Sequence, residues 1–294
     1  MTVRSKESGV RSSEVITSAK NPKVRDAVKL TDRRQRDLTG LMLIEGIKEL
    51  ALAIKGGVSI KRLFYCDALF KGSEEDLILK AAAAQSAELI PVSAHVFEKM
   101  AYREDSFGLI AVAKQPIKTL NEIPLKNPPL IIVVEGVEKP GNLGAILRSA
   151  DAAGVDCIIV CGKSTDIYNP NVVRASIGTV FIVPVVKTTA SESVNWLREK
   201  GIKTIATSPH AELEYFDANL GGPCAIVMGS EHEGLSESWL SIADLLVRIP
   251  MMGLADSLNL AMSTTIMLYE AVRQRREQGN NKPVALISGS DKIN

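Results

Sequence analysis

Histidine and cysteine are scarce in this chain, three and four among 294 residues, and each scarcity closes off a chemistry. Three histidines leave little for a catalytic triad or a metal centre, so no metal is expected. Cys66, Cys157, Cys161 and Cys224 form no Cys-x-x-Cys pair, and three of them fall inside apolar runs. That is the usage of buried thiols in a reducing compartment, not of a disulfide framework. No apolar run approaches the roughly 20 residues of a membrane span, and the charged, Ser-rich N-terminus lacks the apolar core of a secretion signal. A cytoplasmic protein with no membrane partner is expected. Net charge is only +1, so bulk electrostatics do not mark a nucleic-acid binder, and no internal repeat is visible.

Charge is nevertheless uneven. Between residues 4 and 36 there are ten basic side chains, Arg4, Lys6, Arg11, Lys20, Lys23, Arg25, Lys29, Arg33, Arg34 and Arg36, against Glu7, Glu14, Asp26 and Asp32. Such a segment can meet a phosphate backbone or simply form a solvated helix face. Within it, Asn21-Pro22 reads as a helix N-cap followed by proline at the first helical position, with Val24, Ala27 and Val28 spaced for one buried face. A strand at 41–44, helices at 45–55 and 77–84, and strands near 62–66, 89–92 and 109–113 then make an alternating α/β unit. Residues 115–129, with four prolines and little periodicity, read as a linker.

Beyond the linker, continuous apolar runs at 130–134, 157–161, 180–186, 225–228 and 245–249 alternate with helical patterns. They predict a mostly parallel sheet covered on both faces. The longest helical pattern starts at Ser257 and ends in the basic stretch 273–276. The expected organisation is an N-terminal domain at 1–114, the linker at 115–129, a larger α/β domain at 130–276 and a flexible tail at 277–294.

Three polar and glycine-rich blocks punctuate the larger domain: Asn142-x-Gly144 with Arg148, Gly229-Ser230-Glu231-His232-Glu233-Gly234, and Ile249-Pro250-Met251 running to Ser257-Leu258-Asn259-Leu260-Ala261. Each stands where an apolar run stops or a helix begins, the place where open α/β sheets gather groups around a ligand. Bland roles exist for each: Asn142 as a helix cap, Arg148 in an ion pair with Asp151, Ser257 and Asn259 as N-caps, Glu231 as a loop acceptor. Two familiar patterns fail. Gly136, Gly141 and Gly144 have the wrong spacing for a dinucleotide loop, and His210-x-Glu212 with Pro223-Cys224 places Val227 where a zinc deaminase needs its second cysteine.

Taken together, the blocks resemble the SpoU/TrmH-type RNA ribose 2'-O-methyltransferases of the SPOUT superfamily, on Asn142, Gly144 and Arg148, Gly229, Glu231 and Gly234, and Ser257, Leu258, Asn259 and Ala261. The N-terminal part, with Ser18, Asn21-Pro22 and the block Leu43-Ile44-Glu45-Gly46, is similar to the substrate-binding domain of the family's ribosomal RNA members. The resemblance implies an α/β trefoil-knot domain, a smaller ribosomal protein L30e-like α/β domain, S-adenosyl-L-methionine as methyl donor and a homodimer formed through the knot domain. It assigns catalysis to Arg148, Asn142, Glu231, Ser257 and Asn259, and the cofactor to Thr207, Met228, Gly229, Ile249 and Leu258, with glycine at 229 admitting it closely. RNA contacts fall to Lys20, Asn21, Lys23, Arg33, Arg34, Arg36 and Glu45. Large-subunit ribosomal RNA is the expected substrate; transfer RNA, or RNA binding without catalysis, are the alternatives.

Overall fold

A computed structural model describes residues 14–102 and 107–279. Arg4, Lys6 and Arg11, and the tail from residue 280, lie outside the described residues. Chain order in the first domain is α1 (Pro22–Lys29), α2 (Arg33–Thr39), β1 (Leu41–Glu45), α3 (Ile47–Lys55), β2 (Ile60–Tyr65), α4 (Glu74–Ala84), β3 (Glu88–Pro91), α5 (Ala94–Met100) and β4 (Leu109–Lys114). The strands form one sheet in the order β1-β4-β2-β3, with β4 antiparallel to both neighbours and β2 parallel to β3. The Asn21 side chain accepts from the Lys23 amide and Pro22 opens α1, as the dipeptide predicts. Val24 and Ala27 are buried beneath it, whereas Val28 is exposed, because the helix is too short for a wide apolar stripe.

The second domain follows as β5 (Leu130–Glu135), α6 (Pro140–Ala153), β6 (Cys157–Cys161), α7 (Pro170–Ala175), β7 (Val185–Lys187), α8 (Ala190–Glu199), β8 (Lys203–Thr207), β9 (Leu213–Glu214), β10 (Cys224–Met228), α9 (Glu237–Ile242), β11 (Leu245–Arg248) and α10 (Leu260–Glu277). Its seven strands run in the order β7-β6-β5-β10-β8-β11-β9, and every pairing is parallel. Residues 130–134 of β5 and all of β6 and β10 are buried on both faces, which is why they are written as unbroken apolar residues. Fully burying each such aliphatic side chain is worth about 1.5–3 kcal/mol. The four cysteines are buried thiols, and burial pushes Cys161 up to about 11 and Cys157 up to about 12, so both stay neutral.

One expectation needs correction, and two segments are held more firmly than their composition suggests. The run 180–186 is not one strand: a 3-10 turn (Thr179–Phe181) packs against α3 of the first domain, and only Val185–Lys187, after Pro184, joins the sheet. Packing against the other domain overrides the β-propensity of the valines. The stretch 115–129 links the domains and is anchored at several points. Gln115 Nε2 donates to the carbonyls of Leu41 and Arg36 at 2.9 and 3.3 Å, Ile123 is buried, and Asp156 accepts from the amides of Lys126 and Leu130. At the basic end of α10, Arg275 is buried, donating to the carbonyls of Leu220, Gly222, Pro128 and Pro129. It locks the last helix to the connector and to the start of β10.

The sheet reverses its direction of growth between β5 and β10, and the loops leaving these two strands flank the resulting crevice. Chain order then carries the polypeptide from β11, two strands away, back over the strand ends, because α10 packs on α6 and β10. Residues 249–259 make that return.

Candidate functional site

The crevice at a reversal of strand order is where open parallel sheets collect a ligand, and here it joins one side chain from each sequence block. Asn142, in the first turn of α6, donates its amide to Glu231 from the loop after β10. Asn259, at the end of the returning segment, donates to Asn142 Oδ1 at 3.1 Å and to Glu231 Oε1 at 3.3 Å. Its own Oδ1 caps α10, accepting from the amides of Ala261 and Met262 at 3.0 and 3.4 Å. Capping and clustering are therefore one arrangement: the cap fixes the amide so that Nδ2 faces the carboxylate. A fourth member was not singled out by sequence. Lys139, the N-cap residue of α6, places Nζ 2.6 Å from Glu231 Oε2. That contact, with help from the Asn142 amide and nearby His232, outweighs burial and holds the Glu231 carboxyl below the ordinary carboxylate range.

Two motif glycines serve packing. A Cβ on Gly144 would collide with Ala175 and lie 2.9 Å from the Ser176 nitrogen, so glycine lets α7 cross α6 closely. A Cβ on Gly229 would overlap the backbone of Gly234 and Leu235. The close approach at Gly229 is thus made by the chain's own loop, closed by reciprocal hydrogen bonds between Ser230 and Gly234.

Arg148 lies on α6 beyond the cluster, exposed, with no ion pair or hydrogen bond among the described residues, Asp151 included. The Asp151 carboxyl is instead raised by burial, partly offset by Lys55. Between α6 and α10 lies an open hollow of about 490 Å³, lined by Asn142, Ala145, Asn259, Met262, Ile266 and Tyr269. Met262 and Tyr269 are 63% and 50% exposed on it. Ser257 stands outside the cluster, exposed and bonded to Asp256, because α10 begins at Leu260 and not at 257.

Thr207, Met228 and Ile249 stand at the C-terminal ends of β8, β10 and β11, which are adjacent in the sheet, and Gly229 follows Met228. Thr207 Oγ1 donates to the Val227 carbonyl at 3.2 Å and ties the first two ends together. Leu258 is 37% exposed, and Met252 and Leu254 in the same returning segment are almost wholly so. An apolar rim with backbone amides and carbonyls beneath it suits a ligand with a flat heterocycle and polar edges.

Among the first-domain residues, Lys20 and Arg34 are exposed without a side-chain partner among the described residues. Lys23 pairs with Glu88 and Arg33 with Asp37, while the Asn21 side chain is spent on its helix cap. Arg36 does not belong on an RNA-facing surface. It is 1% exposed, pairs with Asp166 at 2.7 Å and donates to the carbonyls of Leu30 and Thr31, so it bolts α2 to the second domain. Glu45, half-buried at the end of β1, accepts from the Tyr102 amide at 2.9 Å.

Comparison with known proteins agrees with this architecture. Residues 129–269 match the SpoU rRNA Methylase family, and residues 21–111 match the MRM3-like substrate binding domain. A 23S rRNA (uridine(2479)-2'-O)-methyltransferase of Streptomyces viridochromogenes is 33% identical over 84% of this chain and 87% of its own length. A 23S rRNA (guanosine-2'-O-)-methyltransferase RlmB of Ralstonia nicotianae is 36% identical, over 67% of this chain and 81% of the relative. The AdoMet-bound structure of an rRNA methyltransferase from Sinorhizobium meliloti superposes with a TM-score of 0.82 at 32% identity, covering 88% of this chain and 97% of that one. The chain belongs to the SpoU/TrmH family of methyltransferases.

Proposed function

We propose that this protein transfers a methyl group from S-adenosylmethionine to a ribose 2'-hydroxyl of large-subunit ribosomal RNA. The observation that carries the reading is the convergence of Asn142, Glu231 and Asn259 at the sheet's reversal point, with Arg148 farther along α6 and its side chain unpaired among the described residues. The names of the relatives, which act on 23S rRNA, support the substrate class, and the AdoMet-bound neighbour supports the donor. Among the described residues no helix is long and apolar enough to cross a membrane, and the reading places the protein in the cytoplasm, with its proposed substrate.

S-adenosylmethionine supplies a methyl group on a sulfonium, which needs in-line presentation to an oxygen nucleophile. Thr207, Met228, Gly229, Ile249 and Leu258 would hold it, through backbone groups at the strand ends and the apolar rim. The chain's remaining work concerns the ribose. A guanidinium stays protonated at any physiological pH, so Arg148 acts as a cation: it holds the phosphate beside the target and stabilises the alkoxide character that develops on the 2'-oxygen. The proton leaves to phosphate or water. Glu231, kept ionised by Lys139, orients the Asn142 and Asn259 amides. Ser257 shapes the exposed wall of the returning segment.

A homodimer completes this arrangement. The hollow between α6 and α10, with Met262 and Tyr269 exposed on it, is an apolar face with few polar groups. Covering it with the same face of a second copy brings Arg148 of one subunit towards the strand ends of the other. The knot of the family accords with the return of residues 249–259 over the strand ends. In the test, Arg148→Lys keeps the charge and loses the planar fork. Turnover should fall about a hundredfold with S-adenosylmethionine affinity unchanged in calorimetry; near-normal turnover would refute the assigned role.

A further inference from the structure

The seam between the two domains carries a group that the proposed reaction has not used. Tyr102 follows α5 and is 49% exposed, yet it is held from both sides. Its amide donates to Glu45 Oε2 at the end of β1, 2.9 Å away, and its hydroxyl accepts from Asn171 Nδ2 in α7, 3.0 Å away. One clip belongs to the substrate-binding domain and the other to the methyltransferase domain. A tyrosine held at its backbone amide and at its hydroxyl, and half open to solvent, has already lost part of its conformational freedom, which lowers the cost of stacking a flat partner on it.

Beside it stands Arg174, exposed at the end of α7, its side chain making no ion pair or hydrogen bond among the described residues. Leu43, Glu45, Met100, Tyr102, Val173 and Arg174 line a notch between the domains. The notch encloses only about 20 Å³, too little to swallow a nucleobase, so any base must lie on the exposed part of the Tyr102 ring. The carboxylate at this seam, Glu45, is already engaged by the Tyr102 amide. Position adds to the case. Ala175, next to Arg174, is the residue that touches Gly144, two positions from Asn142 and one helical turn before Arg148.

Building on the methyltransferase reading, we propose that Tyr102, Asn171 and Arg174 form a single-stranded RNA site at the domain seam. Tyr102 stacks a base flanking the methylated nucleotide, and Arg174 holds the adjoining phosphate. Unstacked bases displayed on aromatic rings, with cations on the backbone, are how proteins read single-stranded RNA. The site leads the strand from the substrate-binding domain towards Arg148.

The test uses the full-length protein and two probes: a short fluorescein-labelled oligouridine for affinity, and a large-subunit rRNA transcript substituted with 4-thiouridine for crosslinking and methyl transfer. Tyr102→Ala should weaken oligouridine binding about tenfold, while Tyr102→Phe, which keeps the ring and loses the Asn171 clip, should weaken it only about two- to threefold. Arg174→Ala should lower the slope of log affinity against log salt by about 0.7, one phosphate contact on a single strand. Irradiation should crosslink the transcript to Tyr102 in the wild-type protein, and S-adenosylmethionine binding should be unchanged in all variants. Wild-type affinity in Tyr102→Ala, or Tyr102→Phe as weak as Tyr102→Ala, would overturn the site while methyl transfer by the wild type left the enzymatic reading standing. A wild-type protein that neither bound the transcript nor methylated it would overturn both.

Discussion

Asn259 separates folding from chemistry, because its two side-chain ends do different things. Oδ1 caps α10 and Nδ2 holds Asn142 and Glu231. In Asn259→Ala both are lost. An N-cap is worth about 1 kcal/mol, and the exposed hydrogen bonds add about 0.5–1 kcal/mol, for a total of about 1.5–2 kcal/mol. At about 2–4 °C per kcal/mol for a domain of this size, the melting temperature should drop by about 3–8 °C. Asn259→Asp keeps a capping oxygen and replaces the donor with a second carboxylate facing Glu231. Its melting temperature at neutral pH should lie between those of wild type and the alanine variant, because the retained cap is opposed by like-charge repulsion. Its methyl transfer should fall as far as that of Asn259→Ala, because the amide bridge is gone in both. Thermal melts by circular dichroism and transfer of labelled methyl groups, run on the same preparations, provide the two readouts. An aspartate variant with wild-type activity would refute the claim that the amide organises the cluster, and an alanine variant that melted with wild type would refute the cap.

Removing one partner of the buried Arg36–Asp166 pair strands the other in the domain seam. Asp166→Asn and Arg36→Met should each cost about 3–5 kcal/mol in urea unfolding, a loss that an exposed RNA-contact arginine would not show. Glu231 titrates below its ordinary value in the folded protein, so its contribution to stability is fully present above the unfolded value of 4.5 and is lost as pH falls through the folded one. Lys139→Met should raise the folded value and move the acid limb of the pH–rate profile to higher pH; an unmoved limb would show that Lys139 does not hold Glu231. Gly144→Ala forces a methyl group into the α6–α7 crossing and should destabilise by about 1–3 kcal/mol in the same urea assay.

What the sequence disclosed was local or already assembled by the family. The Asn21-Pro22 cap and the Asn259 cap are legible because a cap is written in adjacent residues. The parallel sheet is legible because strands buried on both faces must be continuously apolar. The meeting of Asn142, Glu231 and Asn259 is not local: they lie 89 and 117 positions apart, and only the resemblance placed them together. Arg36 was misread for a physical reason, since an arginine in a basic segment is normally solvated, and the carboxylate that draws it inside is 130 residues away. Lys139 escaped notice because its partner is set by the loop after β10. Residues 180–186 show the converse, a β-rich run diverted by contact with another domain.

The central claim is most directly tested by incubating the full-length protein with labelled S-adenosylmethionine and unmodified large-subunit ribosomal RNA or bulk transfer RNA, then mapping alkali-resistant ribose positions. The account predicts label at one large-subunit site, abolished in Arg148→Ala. Label confined to transfer RNA, or an Arg148→Ala variant that methylates as well as wild type, would contradict it.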